Sequence, residues 1–210
     1  MHKTSFFFKV LFPQLVWQIK EGPSDCNKVY ITFDDGPHPQ ITPWIMELFE
    51  EKNFKATFFA VGENIKRYPN IAKQIVDRGH LIANHTFNHV NSWKTSNYDY
   101  MKNVLKCQEI IEDLELSTKK IFRPPYGKLT PKNIRFLLNH HYKIIMWDVL
   151  SKDYSQKMSV ENCLKKTISH IKQGSVIVFH DSEKAYPLLK EVLPKVLDFL
   201  ESEQLKSCHL

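Results

Sequence analysis

No pair of cysteines in this chain has CxxC spacing: Cys26, Cys107, Cys163 and Cys208 stand far apart, which excludes a zinc knuckle and a dithiol redox motif. An α/β chain of this size needs no disulfide, so free thiols are expected. No internal repeat, low-complexity tract or Pro/Gly/Ser linker divides residues 1–210, and one domain is expected. There is no serine nucleophile elbow. No aromatic-basic recognition motif accompanies the net charge of +6, and the lysines are spread along the chain, with short pairs such as Lys119-Lys120 and Lys165-Lys166. That pattern describes a solvated basic surface, and no nucleic-acid partner is expected.

Long hydrophobic runs are missing too. The apolar stretch over residues 6–19, with Lys3 ahead of it, is interrupted by Lys9 and Pro13, and no small-residue cleavage site follows. It is too short and broken for a transmembrane segment. The expectation is a mature N-terminal segment packed on the domain, with Trp17 and Ile19 entering a first strand, in a cytoplasmic protein.

What the chain does contain is a set of polar groups at the ends of apolar runs. Hydrophobic residues make up 42% of it, enough for a substantial core. Strand patterns fall near residues 28–33, 55–61, 80–84, 119–122, 142–147 and 175–179. Helical patterns fall near 42–52, 69–78, 97–114, 131–139, 160–172 and 186–202, with Thr42 as the N-cap and Pro43 as the first residue of the earliest. Alternation of strand and helix predicts an α/β sheet or barrel.

The run Thr32-Phe33-Asp34-Asp35-Gly36-Pro37 closes the first strand. Two adjacent carboxylates there are unfavourable unless a positive group offsets them, and a bound cation is the simplest such group. Further on stands His85-Thr86-Phe87-Asn88-His89, two of the ten histidines. At i and i+4, both imidazoles lie on one face of a helical turn and reach one ion. Two histidines and one aspartate suit Zn, Co, Ni or Fe(II) and leave positions open, as in a catalytic site. Arg123-Pro124-Pro125-Tyr126-Gly127 brings a lone arginine into a proline-fixed loop. Trp147-Asp148 precedes Asp153-Tyr154, and Val178-Phe179-His180-Asp181 ends another strand. Separately, the Pro-Pro segment reads equally as a plain turn and His180-Asp181 as a helix cap.

Taken in order, TFDDGP, HTFNH, RPPYG, the Trp-to-Asp segment and VFHD resemble the five motifs of the polysaccharide deacetylases, carbohydrate esterase family 4 with its NodB-homology domain. The motifs run from Thr32 to Asp181. The resemblance implies a distorted, seven-stranded (β/α) barrel and a divalent-metal-dependent hydrolase that deacetylates a carbohydrate such as chitooligosaccharide or peptidoglycan. It implies Asp35, His85 and His89 as metal ligands, with Zn the first choice. Asp34 would be the general base, held ionised by Arg123. The Tyr126 backbone N–H would bind the oxyanion, and His180, paired with Asp153, would be the general acid.

These roles also meet the needs of amide hydrolysis, which requires an activated water, a stabilised oxyanion and a proton for a poor leaving group. Three positions depart from the family pattern. Tyr154 stands where a tryptophan is common, Leu150 where an acidic residue is frequent, and Val178 where a leucine usually lines the acetyl pocket. They bear on substrate and leave the catalytic groups in place. Two other readings keep the same fold: a non-catalytic carbohydrate-binding or scaffold protein, and a hydrolase of another amide or cyclic imide.

Overall fold

The apolar run after Lys28 forms β1 (Lys28–Asp34), the strand from which the rest of the sheet is laid out. In the computed structural model, which describes residues 6–19 and 27–210, its side chains alternate between two buried environments. Val29, Ile31 and Phe33 face the helices, whereas Tyr30 joins Phe59, Leu81, Ala83, Ile121, Ile145 and Val176 in a separate cluster inside the sheet's curl. By the two-residue period, Thr32 and Asp34 share the inner face with Tyr30.

The elements follow in the order α1 (Phe6–Leu11), β1, α2 (Ile41–Glu51), β2 (Thr57–Ala60), α3 (Gly62–Arg67), α4 (Pro69–Asp77) and β3 (Leu81–Asn84). Then come α5 (Asn97–Asp113), β4 (Ile121–Phe122), α6 (Pro131–Asn139), β5 (Lys143–Ile144) and β6 (Val149–Leu150). The chain ends with α7 (Val160–Ile168), β7 (Val176–His180), α8 (Tyr186–Ser202) and β8 (Lys206–Ser207). Seven parallel strands run in the order β5-β4-β3-β2-β1-β7-β6, and β8 pairs with the start of β1. This is the expected distorted (β/α) barrel.

Its closure departs from expectation. Residues 16–19 form no continuous first strand. Instead Val16 bridges Ile145 and Gln18 bridges Ser175. Val16 N–H donates to Ile144 O at 2.9 Å, Met146 N–H to Val16 O at 2.7 Å, and Ile19 N–H to Gly174 O at 2.9 Å. The segment thus spans the gap between the β5 edge and the β7 side, satisfying backbone groups that an open edge would expose.

A second correction concerns α2. It starts at Ile41, and the Thr42 hydroxyl accepts from His38 N–H (2.8 Å) while donating to Asp181 Oδ2 (2.6 Å). Thr42 therefore ties two loops together and is not the helix cap. The helix expected over 160–172 stops at Ile168. Cys107, Cys163 and Cys208 are free thiols, and Cys26 lies outside the described residues. Among the described residues no helix is long and apolar enough to cross a membrane.

Candidate active site

Strand register carries the sequence motifs to one rim. Asp34 is level with His180 on β7 and with Phe59 on β2; Ala60 is level with Asn84, and Asn84 with Phe122. Asp34, His85, Arg123 and His180 therefore leave neighbouring parallel strands at their C-terminal ends, the face where such barrels carry their chemistry.

Arg123 is 0% exposed, and every hydrogen bond it makes has a buried partner. Nη1 donates to Asp34 Oδ1 (2.7 Å) and Thr32 Oγ1 (2.6 Å), Nε to Ile145 O (3.3 Å) and Nη2 to Met146 O (3.0 Å). Its guanidinium lies 4.0 Å from the Phe59 ring centroid. Burial alone would raise the Asp34 pKa, but the Arg123 charge and hydrogen bond, helped by His180, outweigh it and hold the carboxyl below its usual range.

Asp35 turns away from its neighbour. Its backbone has φ 87°, and Asn64 Nδ2 donates to its carbonyl at 2.8 Å. Its Oδ1 lies 3.2 Å from His89 Nε2 and 3.8 Å from His85 Nε2. One ligand atom from each of the three residues falls within 4.8 Å of the others, a spacing one cation can bridge. His85 Nδ1 is 2.8 Å from Arg123 O, which places the ring proton there and leaves the Nε2 lone pair facing Asp35. Burial holds the His85 pKa down to about 4, so the ring is neutral, as a ligand must be. This donor set fits a divalent metal.

The histidine pair does not sit on a helical turn, as its i,i+4 spacing suggested. Residues 85–89 are irregular, with Thr86 at φ 69° and His89 at φ 57°, and the loop folds the two rings to 5.1 Å between centroids. Tyr126 is likewise left-handed, at φ 60°. Such conformations are unfavourable for residues with a Cβ, most of all for β-branched Thr86. Asp35, Thr86, His89 and Tyr126 thus gather backbone strain around one spot.

On the opposite wall, His180 Nδ1 is 2.8 Å from Asp153 Oδ1, while His180 N–H donates to Oδ2 at 2.8 Å. Ser151 Oγ also donates to Oδ1, at 2.9 Å. Burial would lower the His180 pKa, yet the Asp153 charge and hydrogen bond, helped by Asp35 and Asp34, carry it up to about 9. Between the walls lies a cavity of about 540 Å³. Tyr126, Trp147, Leu150, Tyr154 and Val178 line it with the polar groups. The Tyr126 ring packs on His89 at 4.7 Å, and Tyr154 meets His180 edge-on at 4.8 Å. Among the described residues, no backbone hydrogen bond uses the Tyr126 N–H.

The sequence reading overlooked one structural support. Asp181 caps no helix; its buried carboxylate accepts from Gly36 N–H (2.8 Å) and from Thr42 Oγ1. A Cβ at Gly36 would collide with that carboxylate, so only glycine fits where the loop after Asp35 crosses Asp181. Proximity of Asp181 to His180 in sequence was the only available signal.

The polysaccharide deacetylase family model matches residues 21–145. The chain belongs to that family. A peptidoglycan-N-acetylglucosamine deacetylase of Bacillus cereus is 35% identical over 161 residues, covering 77% of this chain and 58% of that protein. A chitooligosaccharide deacetylase of Azorhizobium caulinodans is 32% identical over 156 residues, covering 74% of each chain. The aligned segment therefore spans little more than half the length of the first relative. A solved peptidoglycan N-acetylglucosamine deacetylase superposes with a TM-score of 0.87 at 30% identity, over 97% of this chain and 94% of that one. The structural likeness thus covers more of the chain than residues 21–145.

Proposed function

We propose that this polysaccharide deacetylase is an active, metal-dependent hydrolase that removes acetyl groups from an N-acetylated glycan. The observation that carries the reading is Asp34, paired with Arg123, and His180, paired with Asp153, facing one cavity with the Asp35–His85–His89 cluster beside them. The relatives named as peptidoglycan and chitooligosaccharide deacetylases support N-acetylglucosamine units as substrate.

Asp35, His85 and His89 would hold the metal, whose chemistry is to polarise the carbonyl and lower the pKa of water. Asp34 takes the proton of the attacking water on Oδ2, since Oδ1 is occupied by Arg123. As the water oxygen bonds to the acetyl carbon, the Tyr126 N–H donates to the developing oxyanion. The C–N bond then breaks, and the sugar nitrogen takes the proton from His180 Nε2, whose partner atom Nδ1 is engaged by Asp153. Acetate and a free amine leave. Tyr154, Leu150 and Val178 line the cavity without entering these steps.

The test is acetate release from a panel of N-acetylglucosamine oligomers, peptidoglycan fragments and acetylated xylan. Release from an N-acetylated member is expected. Silence across the panel, with one metal bound per chain, would move the function to another amide or to binding alone.

A further inference from the structure

Most large apolar side chains here are buried, yet Trp93 is 66% exposed. An indole left in water forgoes the largest hydrophobic gain available to any residue. It is not loose, however. Trp93 Nε1–H donates to Leu129 O at 3.2 Å, and Trp93 N–H donates to Asn91 Oδ1 at 3.0 Å. Its neighbour Ser92 is buried, where its Oγ accepts from Asn133 Nδ2 (2.9 Å) and Thr130 N–H (3.2 Å). Lys128 Nζ stands 4.8 Å from the ring centroid. The ring is thus fixed in orientation and still open to solvent.

Its location gives the exposure a purpose. Trp93 lies four residues beyond His89 and is bonded to the loop that carries Tyr126 and Gly127, both of which line the catalytic cavity. Tyr126, itself 60% exposed, stands on the same loop. Two exposed aromatic side chains, Tyr126 in the cavity wall and Trp93 bonded to the same loop at Leu129, are thus held beside the cavity, with the Lys128 ammonium against the Trp93 ring. A flat, rigid aromatic ring suits the apolar C–H face of a pyranose, and an adjacent ammonium suits its hydroxyl oxygens.

Resting on the glycan reading above, we propose that Trp93 is a stacking platform for a pyranose of the same glycan strand, outside the unit being deacetylated. It binds and orients long substrates and takes no part in the chemistry.

The test compares kcat/KM of wild type, Trp93→Ala and Trp93→Phe on the N-acetylglucosamine dimer and hexamer. Trp93→Ala should lower the hexamer value about tenfold, mainly through KM, and leave the dimer within about twofold; Trp93→Phe should recover most of the loss. Equal losses on both oligomers, or no loss on the hexamer, would overturn the proposal. Calorimetric titration of chelator-treated protein with the hexamer separates the platform from the deacetylase reading. Trp93-dependent hexamer binding without acetate release by the wild type would sink only the latter. A wild type that binds hexamer no more tightly than dimer would sink the platform.

Discussion

Arg123 Nη1 and Asp34 Oδ1 are 2.7 Å apart, with the arginine side chain fully buried and the aspartate nearly so. A buried pair of this kind is unfavourable to break, because removal of one partner leaves the other charge unpaired; the effect is about 3–5 kcal/mol. The two residues should therefore respond differently to substitution. Asp34→Asn keeps an oxygen for the Arg123 hydrogen bond but cannot take a proton from water. It should bind metal at the wild-type stoichiometry and lose turnover about 10²–10⁴-fold. Arg123→Leu should lose about 3–5 kcal/mol in urea unfolding. Wild-type turnover in Asp34→Asn would remove the carboxylate from the chemistry.

In the proposed mechanism His180 must be protonated to act, and Asp153 sets the pH at which that ends. Activity should fall as pH rises through about 9. Asp153→Asn removes the carboxylate that raises the pKa, so the alkaline limb of the kcat/KM profile should move down by about one to two pH units. An unmoved limb would assign it to another group.

The backbone crossing at Gly36 predicts a coupling. Gly36→Ala drives a methyl into the Asp181 carboxylate and should cost about 1–3 kcal/mol, with weaker metal binding through the displaced Asp35. In the Gly36→Ala, Asp181→Ala double variant the losses should be less than additive. Thermal unfolding of the four proteins gives the coupling energy directly.

His80 provides a stability prediction away from the site. Its ring is buried between Phe49 and Phe58, and Nδ1 accepts from Ala56 N–H at 3.1 Å. Burial, with Lys55 and Arg78 nearby, lowers its pKa from 6.5 to about 4. The unfolded chain binds the proton more readily between those values. His80's contribution is thus fully present above pH 6.5 and is lost as pH falls towards 4. In metal-free protein at pH 5, it should account for about 2 kcal/mol of the stability lost relative to pH 7, and His80→Asn should abolish that share. His85, also held at about 4, supplies a parallel slope that persists in the variant.

What was legible in the sequence were groups set by local pattern. The apolar runs before Asp34 and His180 identify strands, and the helical period places α6 and α8 at residues 131–139 and 186–202, as observed. Elements defined by distant partners were not legible. Strand β6 is two residues long and exists through its pairing with Ile177 and Val178. Helix α3 begins at a glycine and buries only Gly62 and Ile65, too few positions to show a period. The His85–His89 spacing reads as helical, yet left-handed Thr86 and His89 bring the rings together by another route. Asp181 meets Gly36 across 145 residues, a contact that no local signal announces.

The central claim is that the Asp35–His85–His89 cluster holds a metal on which deacetylation depends. The most direct measurement titrates Zn into chelator-stripped protein and follows acetate release from N-acetylglucosamine hexamer, beside a His85→Ala, His89→Ala double variant. The account predicts release that returns in proportion to bound metal and saturates at one per chain, with neither uptake nor release in the variant. Undiminished release after stripping, or stoichiometric metal in the variant, would contradict it.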